Sequence, residues 1–165
     1  MHNWHTGHGE VCGWLLDQGV TADEQMRDGT TALHLACWRG HVSTCRQLLD
    51  KGAQLLLVNK HGCHCMHWVA AGGAVDAAQF LIGAAADRGH EEAVWVRFNG
   101  NGSSPLHMAA RKNRRAMCKF LLGRSEWGRA LDADNDGNRP SAVARIEGHV
   151  DLSAFLAEHE ARVGL

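Results

Sequence analysis

At 165 residues, with 45% hydrophobic and 21% charged side chains and a formal net charge of -1, the chain is sized for one domain or one short array of repeats. It is too apolar for a disordered tail, and it lacks an apolar run near the roughly 20 residues that a membrane helix needs. Its near-neutral charge argues against a protein built to coat nucleic acid or an anionic membrane.

The chain opens Met1-His2-Asn3-Trp4-His5-Thr6-Gly7-His8, with no cationic segment leading into an apolar core. No secretory signal is therefore read, and a cytoplasmic or nuclear setting with reduced thiols is expected for its six cysteines. Further on, Asp28-Gly29-Thr30-Thr31-Ala32-Leu33-His34-Leu35-Ala36-Cys37 starts a pattern that returns twice. The copies are His61-Gly62-Cys63-His64-Cys65-Met66-His67-Trp68-Val69-Ala70 and Asn101-Gly102-Ser103-Ser104-Pro105-Leu106-His107-Met108-Ala109-Ala110. A degraded copy runs from Asp136-Gly137 through Arg139-Pro140-Ser141-Ala142 to Arg145. The glycines fall at 29, 62, 102 and 137, a period that marks stacked repeats.

Each residue of the pattern has a physical task. Glycine permits a positive-φ turn at the tip of a finger. Thr31 and Ser104 are placed to cap a helix N-terminus, with Pro105 at the first helical position. The histidine ring is suited to bonding a neighbouring loop. The small residues Ala36, Cys37, Val69, Ala70, Ala109 and Ala110 let helices approach closely. Gly40, Gly73 and Gly148 mark a turn to a second helix that ends in Leu48-Leu49, Leu81-Ile82 or Leu121-Leu122. No unit of this kind buries its apolar face alone, so stacking is obligatory.

The pattern resembles the ankyrin repeat: a glycine, any residue, then Thr-Pro-Leu-His, two small residues and Gly-His. Ser104-Pro105-Leu106-His107 with Ala109-Ala110 matches it best, and Gly40-His41 and Gly52-Ala53 extend the first copy. The resemblance covers nearly the whole chain and implies an all-α solenoid of stacked helix-turn-helix units with β-turn fingers. Expected units are 1–20, a repeat lacking its finger and half its inner helix; 21–53; 54–86; an insertion at 87–98; 99–126; and a degenerate, more polar capping repeat at 127–165. The incomplete first unit reads as a fragment or a blunt cap; in the fragment case Trp4 and Trp14 cover the surface that a missing repeat once covered. The whole segment from Gly83 to Gly100 is about seven residues too long for the period; at its start Ala84-Ala85-Ala86 should prolong the outer helix. Val94, Val96 and Phe98 alternate with Trp95 and Arg97, which reads as core packing or as a binding loop.

His61, Cys63, His64, Cys65 and His67 are metal-ligand types within seven residues. So short a stretch cannot easily aim four donors at a tetrahedral centre, and the repeat register gives each a structural place. Cys12, Cys45 and Cys118 share one register position with Ala78 and Ser153, the slot of a small buried group. Asp132-Ala133-Asp134-Asn135-Asp136-Gly137 opens like a calcium loop, but Val143 stands where the bidentate glutamate belongs. Arg111-Lys112-Asn113-Arg114-Arg115 is the only basic run. It reads as a solvated face or a patch for an acidic partner rather than as a nucleic-acid site. No phosphate loop, nucleophile elbow or catalytic carboxylate pair is present, so neither an enzyme nor a cofactor nor a metal is expected.

The expected role is a non-catalytic protein-interaction module that uses its concave surface. The resemblance implies contacts from finger residues and from the two residues after the small pair of the inner helix. By position these are Arg27, Thr30, Trp38 and Arg39; Lys60, His61, Cys63, Ala71 and Gly72; Ser103, Arg111 and Lys112; and Asn135, Asp136 and Asn138. Trp38 is the leading anchor, with Ala71 and Gly72 leaving a depression beside it. The expected partner is a protein segment with an apolar anchor and acidic residues further along; no nucleic acid or membrane partner is expected. Two alternatives stand. One is a scaffold segment positioning a catalytic or ubiquitin-ligase domain outside this chain. The other is a metal- or redox-responsive module using His61, Cys63 and Cys65. Oligomeric state is left open, because an incomplete first repeat exposes apolar surface.

Overall fold

The computed structural model describes residues 13–14, 16–90, 98–123 and 130–164. Eight helices follow one another there: α1 (Ala32–Arg39), α2 (Val42–Asp50), α3 (Cys65–Gly72), α4 (Val75–Ala86), α5 (Pro105–Arg111), α6 (Arg115–Leu122), α7 (Pro140–Ile146) and α8 (Val150–Arg162). They form four antiparallel pairs. The inner helices α1, α3, α5 and α7 pack in series, and the outer helices α2, α4 and α6 do the same. The result is an all-α solenoid.

Every inner helix but the last begins with a capping box. The N-cap side chains of Thr31, His64 and Ser104 serve the first turn, while the histidine three residues on accepts the N-cap backbone N–H. This occupies donors that a helix start leaves unpaired. The turn to the outer helix needs a left-handed residue. Gly40, Gly73 and Gly148 supply it at φ 73°, 86° and 81°, and Asn113 supplies it at φ 54° in the third unit. Asparagine is among the few side chains that tolerate this region.

Burial repeats with the register. Leu33, Met66 and Leu106 are buried under the inner helices, and Leu48, Leu81, Leu121 and Leu156 are fully buried under the outer ones. The small-residue slots Cys37, Ala70, Ala110, Cys45, Ala78 and Cys118 are all closed to solvent. Cys12 lies outside the described residues. Helix α4 has 12 residues against 9 in α2 and 8 in α6, because Ala84-Ala85-Ala86 continue it. Of the insertion, Val94, Trp95, Val96 and Arg97 lie outside the described residues, and Phe98 is half-buried. Trp4 also lies outside them, whereas Leu16 joins the core and Trp14 is exposed.

The last unit departs from the others. Arg139 stands at the N-cap of α7 without capping it, and Ala142 replaces the histidine. Glu160 of α8 compensates: its buried carboxylate accepts from the Ser141 backbone N–H at 3.0 Å and the Ser141 hydroxyl at 2.6 Å. The start of α7 is thereby tied down within its own helix pair.

Candidate functional site

The fingers set one edge of the concave surface. Asn59 Oδ1 accepts from the backbone N–H groups of His61 and Cys63, Asn99 Oδ1 from Asn101 and Ser103, and Asp134 Oδ1 from Asp136 and Asn138. These are side-chain-locked turns. Adjacent fingers are bonded by Lys60 N–H to Asp28 O at 2.8 Å, Gly100 N–H to His61 O at 2.9 Å and Asn135 N–H to Asn101 O at 3.0 Å.

The three motif histidines tie fingers to helices. Nε2 of His34, His67 and His107 donates to Leu57 O, Ser103 O and Asn138 O of the following unit at 3.2, 3.1 and 3.0 Å. Their Nδ1 atoms accept the N-cap backbone N–H of Thr31, His64 and Ser104. Both ring nitrogens are thus committed, in the neutral Nε2–H form. Burial pushes all three down in pKa, His67 to about 4. They are structural rings rather than bases.

Where the inner helices end, a groove of about 370 Å³ opens between the helices and the fingers. Six of the residues expected to meet a partner line it: Trp38, His61, Cys63, Ala71, Arg111 and Lys112. Trp68 and Met108 complete its apolar wall, and Asn59, Asn99, Asn101 and His67 supply amide and imidazole edges. Among the described residues, no acidic side chain lines it. Trp38 is 40% exposed and meets Trp68 edge to face, with ring centroids 6.4 Å apart. The Arg39 guanidinium lies 4.8 Å from the Trp38 ring centroid. The Arg111 Nε is itself buried, lies 3.7 Å from Glu147 Oε1 and has no hydrogen-bond acceptor among the described residues, while the side chain as a whole is 40% exposed. At 3.7 Å the pair attracts as charges but is too long for a hydrogen bond.

The remaining expected positions fall elsewhere. Arg27, Lys60, Asn135 and Asp136 are exposed on the fingers. Two expectations are corrected by burial: Thr30 and Ser103 are 2% and 3% exposed. The Thr30 hydroxyl is turned to Asp28, and the Ser103 carbonyl to His67. Gly72 is also corrected. A Cβ there would sit 2.1 Å from the Trp38 carbonyl oxygen, so this glycine is a close-packing point between α1 and α3 rather than part of the depression. Asn138 is half-buried and gives its carbonyl to His107.

The dense His/Cys segment is not gathered around one point. His61 is exposed, Cys65 is buried at the first position of α3, and His67 has both nitrogens engaged. Among the described residues, no group of three or more His, Cys, Asp or Glu side chains is arranged to hold a metal ion. Burial raises the thiol pKa of Cys37 well above its ordinary value, raises that of Cys63, and takes Cys118 to about 12. All of these are poor starting points for thiolate chemistry. The basic run is partly spent on packing: Arg114 Nε donates to Ala71 O at 3.0 Å, and the Arg115 guanidinium lies 4.9 Å from the Phe155 ring centroid. Lys112 and Arg111 remain for the groove.

Sequence reasoning missed Trp68, Met108 and Ile146. The first two immediately precede the small pair, and their signal is bulk at the position where the first unit has Leu35. Ile146 occupies the register position of Trp38, Ala71 and Arg111, and is 67% exposed.

Stacked helix pairs joined by bonded fingers define a repeat solenoid with a preformed concave face. A family model described as "Ankyrin repeats (3 copies)" matches residues 4–92 and again 66–165. The chain belongs to the ankyrin repeat family. Ankyrin repeats are protein-interaction modules and are generally non-catalytic. Among similar curated proteins, "Putative E3 ubiquitin-protein ligase XBAT31" of Arabidopsis thaliana is 30% identical over 70% of this chain and 27% of its own length. "Tyrosine-protein kinase Shark" of Drosophila melanogaster is 29% identical over 84% of this chain and 14% of its own length. "Probable 26S proteasome regulatory subunit p28" of Saccharomyces cerevisiae is 28% identical over 90% and 64%. The chain spans less than two thirds of each of these relatives. No helix among the described residues is long and apolar enough to cross a membrane.

Proposed function

We propose that the chain binds a protein segment through its concave groove, and that the segment brings an apolar anchor and acidic side chains. The observation that carries this reading is the groove itself. Trp38, Trp68 and Met108 form an apolar wall that runs into Arg111 and Lys112, with no acid among the described lining residues. Tryptophan and arginine are favoured binding hot spots. A surface held by bonded fingers and capped helices loses little freedom on binding. The test is capture by the immobilised chain and by its Trp38→Ala and Arg111→Glu variants, quantified by mass spectrometry. The same partner should be lost from both; undiminished capture by both disposes of the map.

A second reading is favoured by the relatives. Two of them are named as a ubiquitin ligase and a kinase, and this chain spans 27% and 14% of them. On this reading the repeats of the present chain serve as a scaffold that positions a catalytic domain outside it. Catalytic sequence contiguous with this one in the gene supports that reading.

A further inference from the structure

Ile146 and Trp38 hold the same place in their units, at the free end of the inner helix, and both are exposed: 67% and 40%. Ala71 and Arg111 stand at that place in the units between them. The concave row therefore reads aromatic, small, cationic, aliphatic. The cationic member keeps 40% of its side chain exposed, and its neighbour Lys112 is exposed beside it.

We infer that the groove takes an extended acidic peptide with two apolar anchors, one in the Trp38–Trp68–Met108 pocket and the other on Ile146. This rests on the concave-groove reading and adds a second anchor and a spacing to it. Inner helices pack about 8–10 Å apart, so Trp38 and Ile146 are separated by roughly 24–30 Å. An extended chain advances about 3.3–3.6 Å per residue. The two apolar residues then lie about seven to nine positions apart. Arg111 is two spacings from Trp38 and one from Ile146. The acidic residue accordingly falls about five or six positions from the first anchor and two or three from the second. Its carboxylate meets the exposed part of the Arg111 guanidinium and Lys112. The acid is off-centre, so the pattern can be told from a simple amphipathic stretch.

The experiment uses the full chain and a phage-displayed library of random 16-residue peptides. An enriched peptide is then synthesised and titrated by fluorescence anisotropy against the unaltered chain and against Trp38→Ala, Arg111→Glu and Ile146→Ala. Ile146 is mostly exposed, so its truncation leaves the fold intact, and circular dichroism checks this for each variant. The expected consensus has two apolar residues seven to nine apart with Asp or Glu two or three from one of them. Each of the three variants should weaken binding about tenfold or more. A consensus with a single apolar residue overturns the second anchor, as does full affinity in Ile146→Ala beside a loss in Trp38→Ala; either result leaves the groove reading standing. Peptides indifferent to all three variants, or no enrichment at all, overturn both.

Discussion

The histidines show most clearly how one side chain couples elements. His67 bonds the start of its own helix and the finger of the next unit while fully buried. Its folded pKa, about 4, lies below the ordinary 6.5 because burial disfavours the imidazolium. Protonation therefore favours the unfolded chain. The contribution of His67 is fully present above pH 6.5 and is lost as the pH falls from 6.5 towards 4, a difference of about 3 kcal/mol. His34 and His107 are shifted in the same direction. Asp28, lowered below 3.8 chiefly by its bond from the Thr30 N–H, acts only at more acid pH. Urea unfolding at pH 7 and pH 4.5 should show a large loss of stability in the unaltered chain and a smaller one in His67→Gln. Equal losses would contradict the assignment. The residue pattern made these rings legible as structural groups, since they recur at one register position. It could not show the buried Glu160, because a carboxylate at position 160 has no sequence neighbour to explain it, and its partner Ser141 belongs to the facing helix.

At the scale of elements, the helices were legible from caps, glycines and small-residue pairs, whose effects are local. How closely two helices approach was not. Gly72 looked like the floor of a depression, but it faces the Trp38 carbonyl with no room for a Cβ. The next interface is built differently: Arg114 Nε donates to the Ala71 carbonyl there, and His149 Nε2 donates to Arg111 O at the third. Ala74, the corresponding residue at the first interface, offers no donor, and the helices close up on glycine instead. Gly72→Ala should cost about 1–3 kcal/mol of stability by forcing α1 and α3 apart. Gly83→Ala in α4 meets open space and should be neutral or stabilise by up to about 1 kcal/mol, since alanine is the better helix former. Similar losses from both in urea unfolding would refute the close-packing account. At the left-handed turn, Asn113→Gly should stabilise by roughly 0.5–1 kcal/mol, because it relieves the only non-glycine positive φ among the described residues.

Across the whole molecule, the repeat register predicted which residues share a surface, and the groove gathers six of the expected contacts along it. Accessibility there depends on folded contacts that the register does not carry: Thr30 is buried with its hydroxyl on Asp28, and Ser103 is buried with its carbonyl on His67 of the unit before. Charge on this surface is also a property of the assembly. Glu147 of the last unit partly offsets Arg111 of the unit before it. Glu147→Gln should therefore tighten binding of an acidic peptide a few-fold at 0.05 M salt and by less at 0.5 M, where exposed charges are screened over shorter distances. An unchanged affinity at both salts would place the ligand's acid away from Arg111. The most direct test of the central claim, recognition by the concave face, is hydrogen–deuterium exchange of the full chain with and without its bound peptide. Slowed exchange should appear at the inner-helix ends around Trp38, Ala71, Arg111 and Ile146 and in the fingers from Asn59 to Cys63 and Asn99 to Ser103. Protection concentrated instead on the outer helices α2, α4 and α6 would contradict the account.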